Sequence, residues 1–375
     1  MTGALLIQAG LPPLLLLLLW LTPALTAPTL PFGVRIPAER TREPVVAEQR
    51  RAYRRLVGVL GGVVTVAGVA VVLATASAAV SLLAALAVGA VGLAGYLRAH
   101  RAISAAKRHG DWYRGLRQVV VADTGLRTDP TRFPWPWAAP ALLLPLGTAV
   151  AGVVRYPSMP DRLATHFGAS GTVDHLAAKS VGSAFAPVLA QLVTTAVILL
   201  VSRLAFRARP DLDPARVRTT VLQHRRYLVL MARTLLLLAG CVDLTALLAA
   251  WRIWDGARTL TPLPLLAPTL LGLAVTIGTA VRCGQNGSRL RVVSQEERAP
   301  QDERALPGTG EPLTRQDDDR HWRLGGLAYV NRRDPAFLVP KRFGVGWTVN
   351  YGSPYTLLLL AVLVGFAVAM PLLTR

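Results

Sequence analysis

Charge is scarce in this sequence. Only 17% of the 375 residues are Asp, Glu, Lys or Arg, whereas 52% are hydrophobic, and the mean hydropathy is +0.42. Several uncharged apolar runs approach or exceed the roughly 18 residues that a helix needs to cross a bilayer. The composition therefore excludes an ordinary soluble protein and predicts a membrane protein with several helical spans.

Cysteine and the common catalytic motifs are also lacking. The two cysteines are Cys241, within an apolar run, and Cys283, which follows one. They indicate neither a disulfide framework nor a metal knuckle. The sequence contains no Walker loop, dinucleotide fingerprint, metalloprotease helix or nucleophile–base pairing. We therefore expect no enzymatic activity, no cofactor and no metal site.

Acidic residues are half as frequent as basic ones, 21 against 41, so the net charge is +20. In a soluble protein this balance would favour nucleic acid as a partner. Here the basic residues lie in loops beside apolar runs, so we expect a bilayer with anionic headgroups as the partner, and no nucleic acid. Nearly all of the basic residues are Arg, and together with abundant Ala and Leu this indicates a bacterial, GC-rich source.

The apolar runs predict an all-α integral membrane protein with about eight transmembrane helices and a small cytosolic β-containing C-terminal module. The run 56–97 is twice the length of one span and predicts a helical hairpin that turns near Ser77. The first run lacks a preceding Lys or Arg and is expected to be an uncleaved span. The predicted segments are a first helix 1–26, a basic loop 27–55, a transmembrane hairpin 56–97, a loop 98–136, two spans within 137–206 that flank an outer loop 155–180, a loop and two further spans within 207–282, a disordered linker 283–317, a module 318–351 and a last span 354–373.

The distribution of basic residues predicts the orientation. Of the 41 Lys and Arg residues, 34 lie in the segments 27–55, 98–136, 203–226 and 282–353. The alternate segments hold six, and Arg233 falls within a span. Because basic loops stay on the cytoplasmic side, we expect a multi-pass protein of the cytoplasmic membrane with both termini and loop 155–180 outside.

The outer loop from Arg155 to Ser180 is too rich in Pro, Gly and charge to lie in lipid. Its most patterned residues are Pro160, His166, Phe167, Gly171, Asp174 and Lys179. These residues resemble the signature of domain of unknown function 1648, although Gly168 and Leu176 stand where that family usually has Asn and an aromatic residue. We select four residues of the loop as candidate ligand-binding residues: His166, Phe167, Asp174 and Lys179.

Turn chemistry explains much of this loop without a ligand. Pro160 starts it, Gly168 and Gly171 bend it, and Asp174 is placed to cap a helix that leads into Lys179.

Two further interpretations of the loop stay open. A metal site would need His166 and His175 to converge with nearby Asp161 and Asp174, and their spacing matches no known ligand pattern. Alternatively, His166 responds to protons or to a ligand, because histidine titrates near ambient pH.

The first basic loop opens with Pro31-Phe32-Gly33-Val34-Arg35-Ile36-Pro37. A Phe-Gly-x-Arg-x-Pro segment also occurs in the immunity family for the sporulation-delaying toxin, whose members often carry the 1648 domain. The resemblance implies an immunity-like function. The alternative is a Gly-Pro turn with an interfacial Phe.

The block from Asp318 to Tyr351 resembles domain of unknown function 5808. Leu327–Val330 and Phe337–Val339 are predicted to be short strands joined through an Asn331–Pro335 turn. We expect this block to dock on the inner side of the membrane, with nucleotide or lipid-phosphate binding as the alternative. Its candidate residues are Trp322, Asn331, Asp334, Arg342, Gly344, Gly346, Trp347 and Asn350.

Arg233 and Asp243 lie within the sixth span, where charges are costly and are functional candidates. Ten residues of helix place them about 15 Å and roughly 80° apart, so they are not expected to pair. Arg233 is expected to extend towards the inner interface. Asp243 is the better candidate for a partner on another helix, either as structural polar contact or as part of a transport path. The predicted partners are Gln191, Thr194 and Thr195 on the fifth span and Thr276 on the seventh.

These observations predict a non-enzymatic, immunity-like or receptor-like membrane protein that senses an extracellular peptide or small-molecule ligand, or envelope stress. A secondary transporter of a small solute or ion is the alternative. In the receptor interpretation the outer loop is essential, whereas in the transporter interpretation Asp243 is.

Overall fold

The computed structural model describes residues 3–119, 125–168, 171–208, 210–292 and 313–373. Seven helices in this part of the chain are long and apolar enough to cross a membrane. An eighth apolar helix follows the C-terminal module. The predicted fold class, a helical membrane protein with a small β module, is confirmed. The helices are α1 Gly3–Leu25, α2 Pro44–Thr75, α3 Ala78–His109, α4 Ala139–Arg155, α5 Val181–Ala205, α6 Val217–Trp254, α7 Pro262–Cys283 and α8 Pro354–Leu373.

Three helices extend well beyond the apolar runs that predicted them. α2 begins at Pro44 rather than near residue 56, α3 continues to His109, and α6 begins at Val217. Charged residues end a membrane span, but Arg and Gln are good helix formers and do not end a helix. α2 and α3 are separated at Ala76 and Ser77, where the turn was predicted, and the Ser77 hydroxyl accepts a hydrogen bond from Val80 N at 3.4 Å.

The helices pack in two groups. In the first group α1, α2 and α3 contact one another, and in the second α6 contacts α4, α5 and α7. α6 has 38 residues, so at 1.5 Å per residue it is about 57 Å long and exceeds the thickness of a bilayer.

Successive spans run in alternate directions, so the connections fall on two sides. One side, called here the hairpin face, holds the turn at Ala76, the connection between α4 and α5, and the connection between α6 and α7. The other side, called here the module face, holds the segments 26–43 and 284–353 where they are described, together with the connections that follow α3 and α5.

The connection between α4 and α5 is an antiparallel β hairpin rather than an irregular loop. Its strands are β2 Arg162–Phe167 and β3 Val173–Ala178, and Arg162 pairs with Ala178. The register shifts near His166, which pairs with His175. The outward bend of such a bulge re-aims side chains at the end of a hairpin.

In the described part of the chain, six short strands lie on the module face: β1 Arg117–Val119, β4 Leu313–Arg315, β5 Trp322–Arg323, β6 Ala328–Tyr329, β7 Leu338–Pro340 and β8 Trp347–Val349. β1 pairs in parallel with β4, β5 pairs with β6, and β7 pairs with β8. The two predicted strands of the module exist, but they do not pair with each other, because each forms a tight hairpin with a neighbour closer in sequence.

The predicted linker 283–317 lies largely outside the described residues, which resume at Leu313. Its described ends are ordered: Gln285–Gly287 forms a 3-10 turn directly after α7, and Leu313–Arg315 is a strand.

Candidate functional site

The hairpin is seated on the ends of three helices. Leu163 is fully buried in a cluster with Met159, Ala184, Ala250 and Trp254, which come from the flanking segments and from α5 and α6. The indole Nε1 of Trp254 donates to the carbonyl of Ala184 at 2.9 Å. The inner side of β2 is therefore part of the apolar core, and the hairpin cannot move without disturbing the helix ends.

The far end of the hairpin is held by the connection between α6 and α7. Val173 N donates to Arg258 O at 3.0 Å, and Leu260 N donates to Gly171 O at 2.8 Å. Gly171 has a φ of +82°, and a Cβ there would lie 2.3 Å from the carbonyl oxygen of Leu260. The close approach of these two backbones requires glycine at this position.

Lys179 has a structural position at the base of the hairpin. Its Nζ donates to Met159 O at 3.0 Å and to Tyr156 O at 3.4 Å, and it lies 5.4 Å from the centre of the Tyr156 ring. The ammonium group therefore satisfies carbonyls just beyond the C-terminus of α4, where a positive charge is favourable. Its side chain is directed at these backbone atoms and away from the candidate ligand residues.

Asp174 was expected to cap a helix, and this prediction is wrong. Asp174 lies within β3, and the N-cap of α5 is Ser180, whose hydroxyl accepts from Ser183 N at 3.1 Å. Ser183 in turn accepts from Ser180 N, so the two serines form a capping box. The strand pairing leaves Asp174 at the exposed end of the hairpin instead.

The exposed end carries the two polar pairs of the hairpin. His166 Nδ1 and Asp174 Oδ1 are 2.6 Å apart, with side chains 69% and 50% exposed, and Thr165 Oγ1 lies 2.8 Å from His175 Nδ1. Phe167 beside them is half-buried. Within the described residues no group of three or more His, Cys, Asp or Glu side chains could hold a metal ion. The structure thus brings together His166, Phe167 and Asp174, three of the four predicted ligand residues.

A second polar cluster lies inside the helix bundle. Asp243 on α6 is fully buried, and its Oδ2 is 2.6 Å from Thr195 Oγ1 on α5. Gln191 Nε2 donates to the backbone carbonyl of Asp243 at 2.7 Å and to Thr148 Oγ1 on α4 at 3.0 Å. The cluster therefore joins α4, α5 and α6, the same helices that carry the hairpin.

Of the partners expected for Asp243, the structure places Gln191 and Thr195 on it. Thr276 lies elsewhere, where its hydroxyl donates to Gly272 O at 2.8 Å along its own helix. Arg233 is not near Asp243, because its guanidinium lies 5.6 Å from the centre of the Trp137 ring. The sequence analysis did not identify Thr148 as a member of this cluster. Its hydroxyl is one of few polar groups in an apolar run, and that alone could have indicated a polar contact inside the bundle.

An ion-pair cluster on the module face ties distant parts of the chain together. Arg35 pairs with Asp211 at 3.2 Å and with Asp318 at 2.8 Å. Lys107 pairs with both Asp317 and Asp319 at 2.6 Å. Arg342, of which only 2% of the side chain is exposed, pairs with Asp318 and Asp319. We call these residues the ionic cluster: Arg35, Lys107, Asp211, Asp317, Asp318, Asp319 and Arg342.

The charges of the ionic cluster stabilise one another. Burial alone would raise the pKa of the Asp318 carboxyl, but Arg35 and Arg342 outweigh it and hold that pKa well below its usual range. Burial opposes the charge of Arg35 likewise, yet Asp211 and Asp318 keep its pKa above the ordinary value. Asp318 and Arg35 are therefore both charged at neutral pH.

The N-terminal Phe-Gly-x-Arg-x-Pro segment is the counterpart onto which the module docks. Gly33 O accepts from Arg342 Nη1 at 2.9 Å, and Phe32 O lies 2.8 Å from His100 Nδ1. The ring of Tyr96 on α3 lies between Phe32 and Phe343, with centroid distances of 6.1 and 4.2 Å. The segment is thus a buried docking element and is no interfacial turn.

Four of the module residues singled out from the sequence line one cavity of about 190 Å³: Trp322, Asn331, Asp334 and Arg342. The ring of Trp322 lies 4.9 Å from the guanidinium carbon of Arg342, and Tyr329 donates to Asp334 Oδ2 at 2.8 Å. Burial raises the pKa of Tyr329 to about 12, so its hydroxyl remains a donor. Carboxylates and guanidinium groups both face the cavity, so it has no single charge preference.

The remaining candidate residues of the module make structural contacts. Gly346 N donates to Gln285 Oε1 at 3.2 Å, and the Trp347 ring lies 5.3 Å from the ring of Tyr227 on α6. Gly344 and Gly346 have φ values of +82° and +107°, which only glycine adopts readily. Asn350 is fully buried and bonds the backbone of the Asn331–Pro335 turn. These contacts correspond to docking, and a phosphate-binding loop would instead precede a helix N-terminus.

Comparison with protein families supports both resemblances. Residues 143–190 match DUF1648, a domain of unknown function, and residues 332–357 match DUF5808, a family of unknown function. The DUF1648 segment contains the end of α4, the whole hairpin and the beginning of α5. The DUF5808 segment begins after Trp322 and Asn331 and extends into α8. Neither the curated proteins nor the solved structures include a match to the chain.

Proposed function

We propose that this protein is a non-enzymatic membrane receptor of the immunity type, which recognises a membrane-active ligand at the exposed end of its β hairpin. The observation that carries this proposal is the contrast between the two ends of the hairpin. The base is fixed by Lys179 and by the buried Leu163, whereas the far end presents His166 and Asp174 to solvent beside half-buried Phe167. A rigid scaffold that carries exposed polar side chains next to an aromatic one is typical of a recognition surface.

The ligand class follows from these side chains and from the position of the hairpin. Asp174 offers a carboxylate, and half-buried Phe167 offers an apolar surface beside it. A cationic amphipathic peptide would meet both groups before it enters the bilayer. The excess of basic residues on the module face supports an orientation with the hairpin outside the cell and the module in the cytosol.

α6 provides a direct connection between the two faces. Its last residue, Trp254, is part of the core beneath the hairpin, and Tyr227 near its other end packs against Trp347 of the module. A helix that contacts both sites transmits a displacement of the hairpin to the cytosolic module. We infer that ligand binding is sensed in this way.

The test compares cells that lack the protein with cells that carry it or a variant, challenged with a synthetic amphipathic peptide built of Lys and Leu. The triple variant His166→Ala, Phe167→Ala, Asp174→Ala should abolish protection while expression and membrane insertion are retained. Arg162→Ala, an exposed position on the same hairpin, is the matched control and should protect fully. Full protection by the triple variant would exclude the hairpin as the recognition site.

A transporter of a small solute or ion is the second candidate, and the buried carboxyl of Asp243 favours it. Transport would require Asp243 and would tolerate the hairpin variants. If Asp243→Asn abolishes protection and the hairpin triple variant does not, the transporter replaces the receptor.

A further inference from the structure

Asp243 is buried where α4, α5 and α6 meet, without a cation partner among the described residues. It lies eleven residues before the end of α6, so it is about 16 Å below the hairpin face and close to the middle of the bilayer. None of the cations in the described part of the chain is shown in contact with its carboxyl group. Three arginines on the helices that pack here have other partners: Arg155 pairs with Asp255, Arg203 lies over Phe133, and Arg233 lies over Trp137. The other titratable and charged residues of the helices that pack here are Arg155 on α4, Arg203 on α5, Arg282 and Cys283 on α7, and Arg218, His224, Arg225, Arg226, Tyr227, Arg233, Cys241 and Arg252 on α6 itself.

This environment is unlike that of the other described carboxylates. Asp211, Asp318 and Asp319 are partly buried, and each has at least one Arg or Lys partner. Asp129 and Asp255 are exposed and also pair with arginine. An isolated carboxylate in a dry helix bundle would lack both a counter-ion and water, which is the most unfavourable setting for a negative charge.

The hydrogen bonds around Asp243 account for one additional proton. The Thr195 hydroxyl has a single hydrogen, yet its oxygen lies 2.6 Å from Asp243 Oδ2 and 3.3 Å from Ala141 O. If Asp243 Oδ2 carries a proton, it donates to Thr195, and Thr195 donates to Ala141 O. The distance of 2.6 Å is typical of a short O–H···O bond. Both hydroxyl hydrogens in this series of hydrogen bonds, that of Asp243 and that of Thr195, then have an acceptor.

The neighbouring Gln191 completes the same arrangement. Both hydrogens of its Nε2 are used, on Asp243 O and on Thr148 Oγ1, and Thr148 donates to Leu144 O at 2.7 Å. No donor is left to bind Asp243 Oδ1, which has no hydrogen-bond partner. An unpartnered oxygen is tolerated far better on a neutral acid than on a carboxylate.

We propose that Asp243 is a proton-binding site in the core of the membrane domain, and that it is uncharged when α4, α5 and α6 are packed as described. Proton release breaks the O–H bond at Oδ2, and the proton passes to a water molecule that enters the cluster. The remaining carboxylate must be hydrated, so the three helices separate there. This inference does not depend on what the hairpin binds.

Infrared difference spectroscopy of the full-length protein in lipid bilayers tests the bound proton directly. An uncharged carboxylic acid has a carbonyl stretching band that is separate from the bands of a carboxylate. At neutral pH the wild type should show this band, and Asp243→Asn should remove it. Asp255→Asn, which changes an exposed aspartate paired with Arg155, is the matched control and should leave it unchanged. A band that persists in Asp243→Asn would overturn the proposal.

A second pair of variants keeps the test valid if Asp243→Asn does not insert into the membrane. Thr195→Val preserves the size of the side chain but removes the hydroxyl that accepts the proton, so it should shift the frequency of the band. Thr195→Ser retains the hydroxyl and should leave the frequency near that of the wild type. The same frequency in both variants would show that the proton is not bound between these two residues.

The separation of the helices is tested by thiol accessibility. In a background with Cys241 and Cys283 replaced by Ala, Ala141→Cys places a buried thiol on α4 beside Thr195. Its labelling by a membrane-permeant thiol reagent, after correction for the thiolate fraction of a free cysteine, should rise several-fold from acidic to alkaline pH. The additional substitution Asp243→Asn, which cannot lose a proton, should abolish this rise. An equal rise with and without Asp243 would show that the helices do not respond to its protonation.

Discussion

The side chain of Arg35 lies 2.8 Å from Asp318, although the two residues are 283 positions apart in the sequence. Arg35 belongs to the connection between the first two helices, and Asp318 is the first residue of the module. The same carboxylate also binds Arg342, which comes from the module itself. One aspartate therefore joins the N-terminal connection to the C-terminal module, and the first group of helices depends on residues at the far end of the chain.

Substitution of Arg35 by Gln should strongly weaken the contact between the N-terminal connection and the module. Only 9% of its side chain is exposed, and its loss leaves two partly buried carboxylates, Asp211 and Asp318, short of a partner. Breaking such a pair typically costs about 3–5 kcal/mol. Thermal unfolding in detergent should show a clear decrease in Tm. Arg40→Gln, which breaks an exposed pair with Glu43, should change stability by at most about 1 kcal/mol. Equal Tm values for the two variants would contradict the role given to Arg35.

The ionic cluster should also make stability depend on pH in a defined direction. The folded-state pKa values of Asp211, Asp318 and Asp319 lie below their usual values. Burial alone would raise all three, and the neighbouring arginines and Lys107 outweigh it. The unfolded chain then binds more protons than the folded chain in acid, so stability rises with pH. This contribution is fully present above the unfolded pKa of about 4 and is lost as the pH falls below it towards the folded values.

Measurement of Tm between about pH 6 and pH 3 checks this prediction. The wild type should lose stability steeply at the acidic end, and Asp318→Asn should show a shallower dependence because one of the three shifted carboxyls is gone. A wild-type Tm that is constant over this range would rule out the ionic cluster as the source of acid sensitivity.

The helices were predictable from sequence because long uncharged runs satisfy a simple length requirement. The polar contacts of Asp243 were partly predictable for the same reason: few polar side chains are available inside the spans, so Gln191 and Thr195 were among a short set of possible partners. The ionic cluster was not predictable. Its members Lys107 and Asp211 lie in ordinary basic loops, and nothing in their local sequence indicates that the fold brings them to Asp317–Asp319.

The hairpin was predictable from the sequence only in part, for a different reason. Gly168, Gly171 and Pro160 correctly indicated turns, but short strands with a mixed burial pattern, such as Arg162–Phe167, lack the strict alternation that identifies a strand. The contacts of Lys179 could not be predicted, because its partners are backbone carbonyls, which the sequence does not distinguish from any others.

Substitution of Lys179 by Met should loosen the hairpin while leaving the helices intact. Met keeps the aliphatic part of the side chain but cannot donate to Met159 O and Tyr156 O. Two carbonyls lose a charged donor, and such hydrogen bonds contribute about 1.5–3 kcal/mol each. Limited proteolysis of the protein in bilayers should cut the hairpin faster than in the wild type. Arg162→Met removes an exposed positive charge from the same hairpin and should not change the cleavage rate.

The orientation of the protein can be tested with single cysteines in a background that lacks Cys241 and Cys283. Thr172→Cys lies at the exposed end of the hairpin, and Leu324→Cys replaces a residue of the module that is 74% exposed. With the hairpin outside, a membrane-impermeant maleimide should label Thr172→Cys in intact cells and Leu324→Cys only after permeabilisation. Labelling of Leu324→Cys in intact cells would reverse the orientation.

Asn350 should be the least replaceable residue of the DUF5808 segment. Its side chain is fully buried, and its Nδ2 lies within 3.2 Å of the carbonyl oxygens of Asn331, Asp334 and Ala336, while its Oδ1 accepts from Asn331 N and Gly352 N. Asn350→Asp has the same shape, but it replaces the donor by an oxygen that faces three carbonyls. A buried group that loses its hydrogen bonds costs about 1–3 kcal/mol, and more when it is charged. Asn350→Asp should therefore destabilise the module at least as much as Asn350→Ala, which is measured as faster proteolysis of the module and a lower Tm.

Asn331→Asp is the matched control. Asn331 lies in the turn that Asn350 holds, it is only partly buried, and its Oδ1 continues to accept from Arg333 N at 3.0 Å. Its effect should be smaller, and if Asn350→Asp were instead the milder change, the turn would not depend on the amide donor of Asn350.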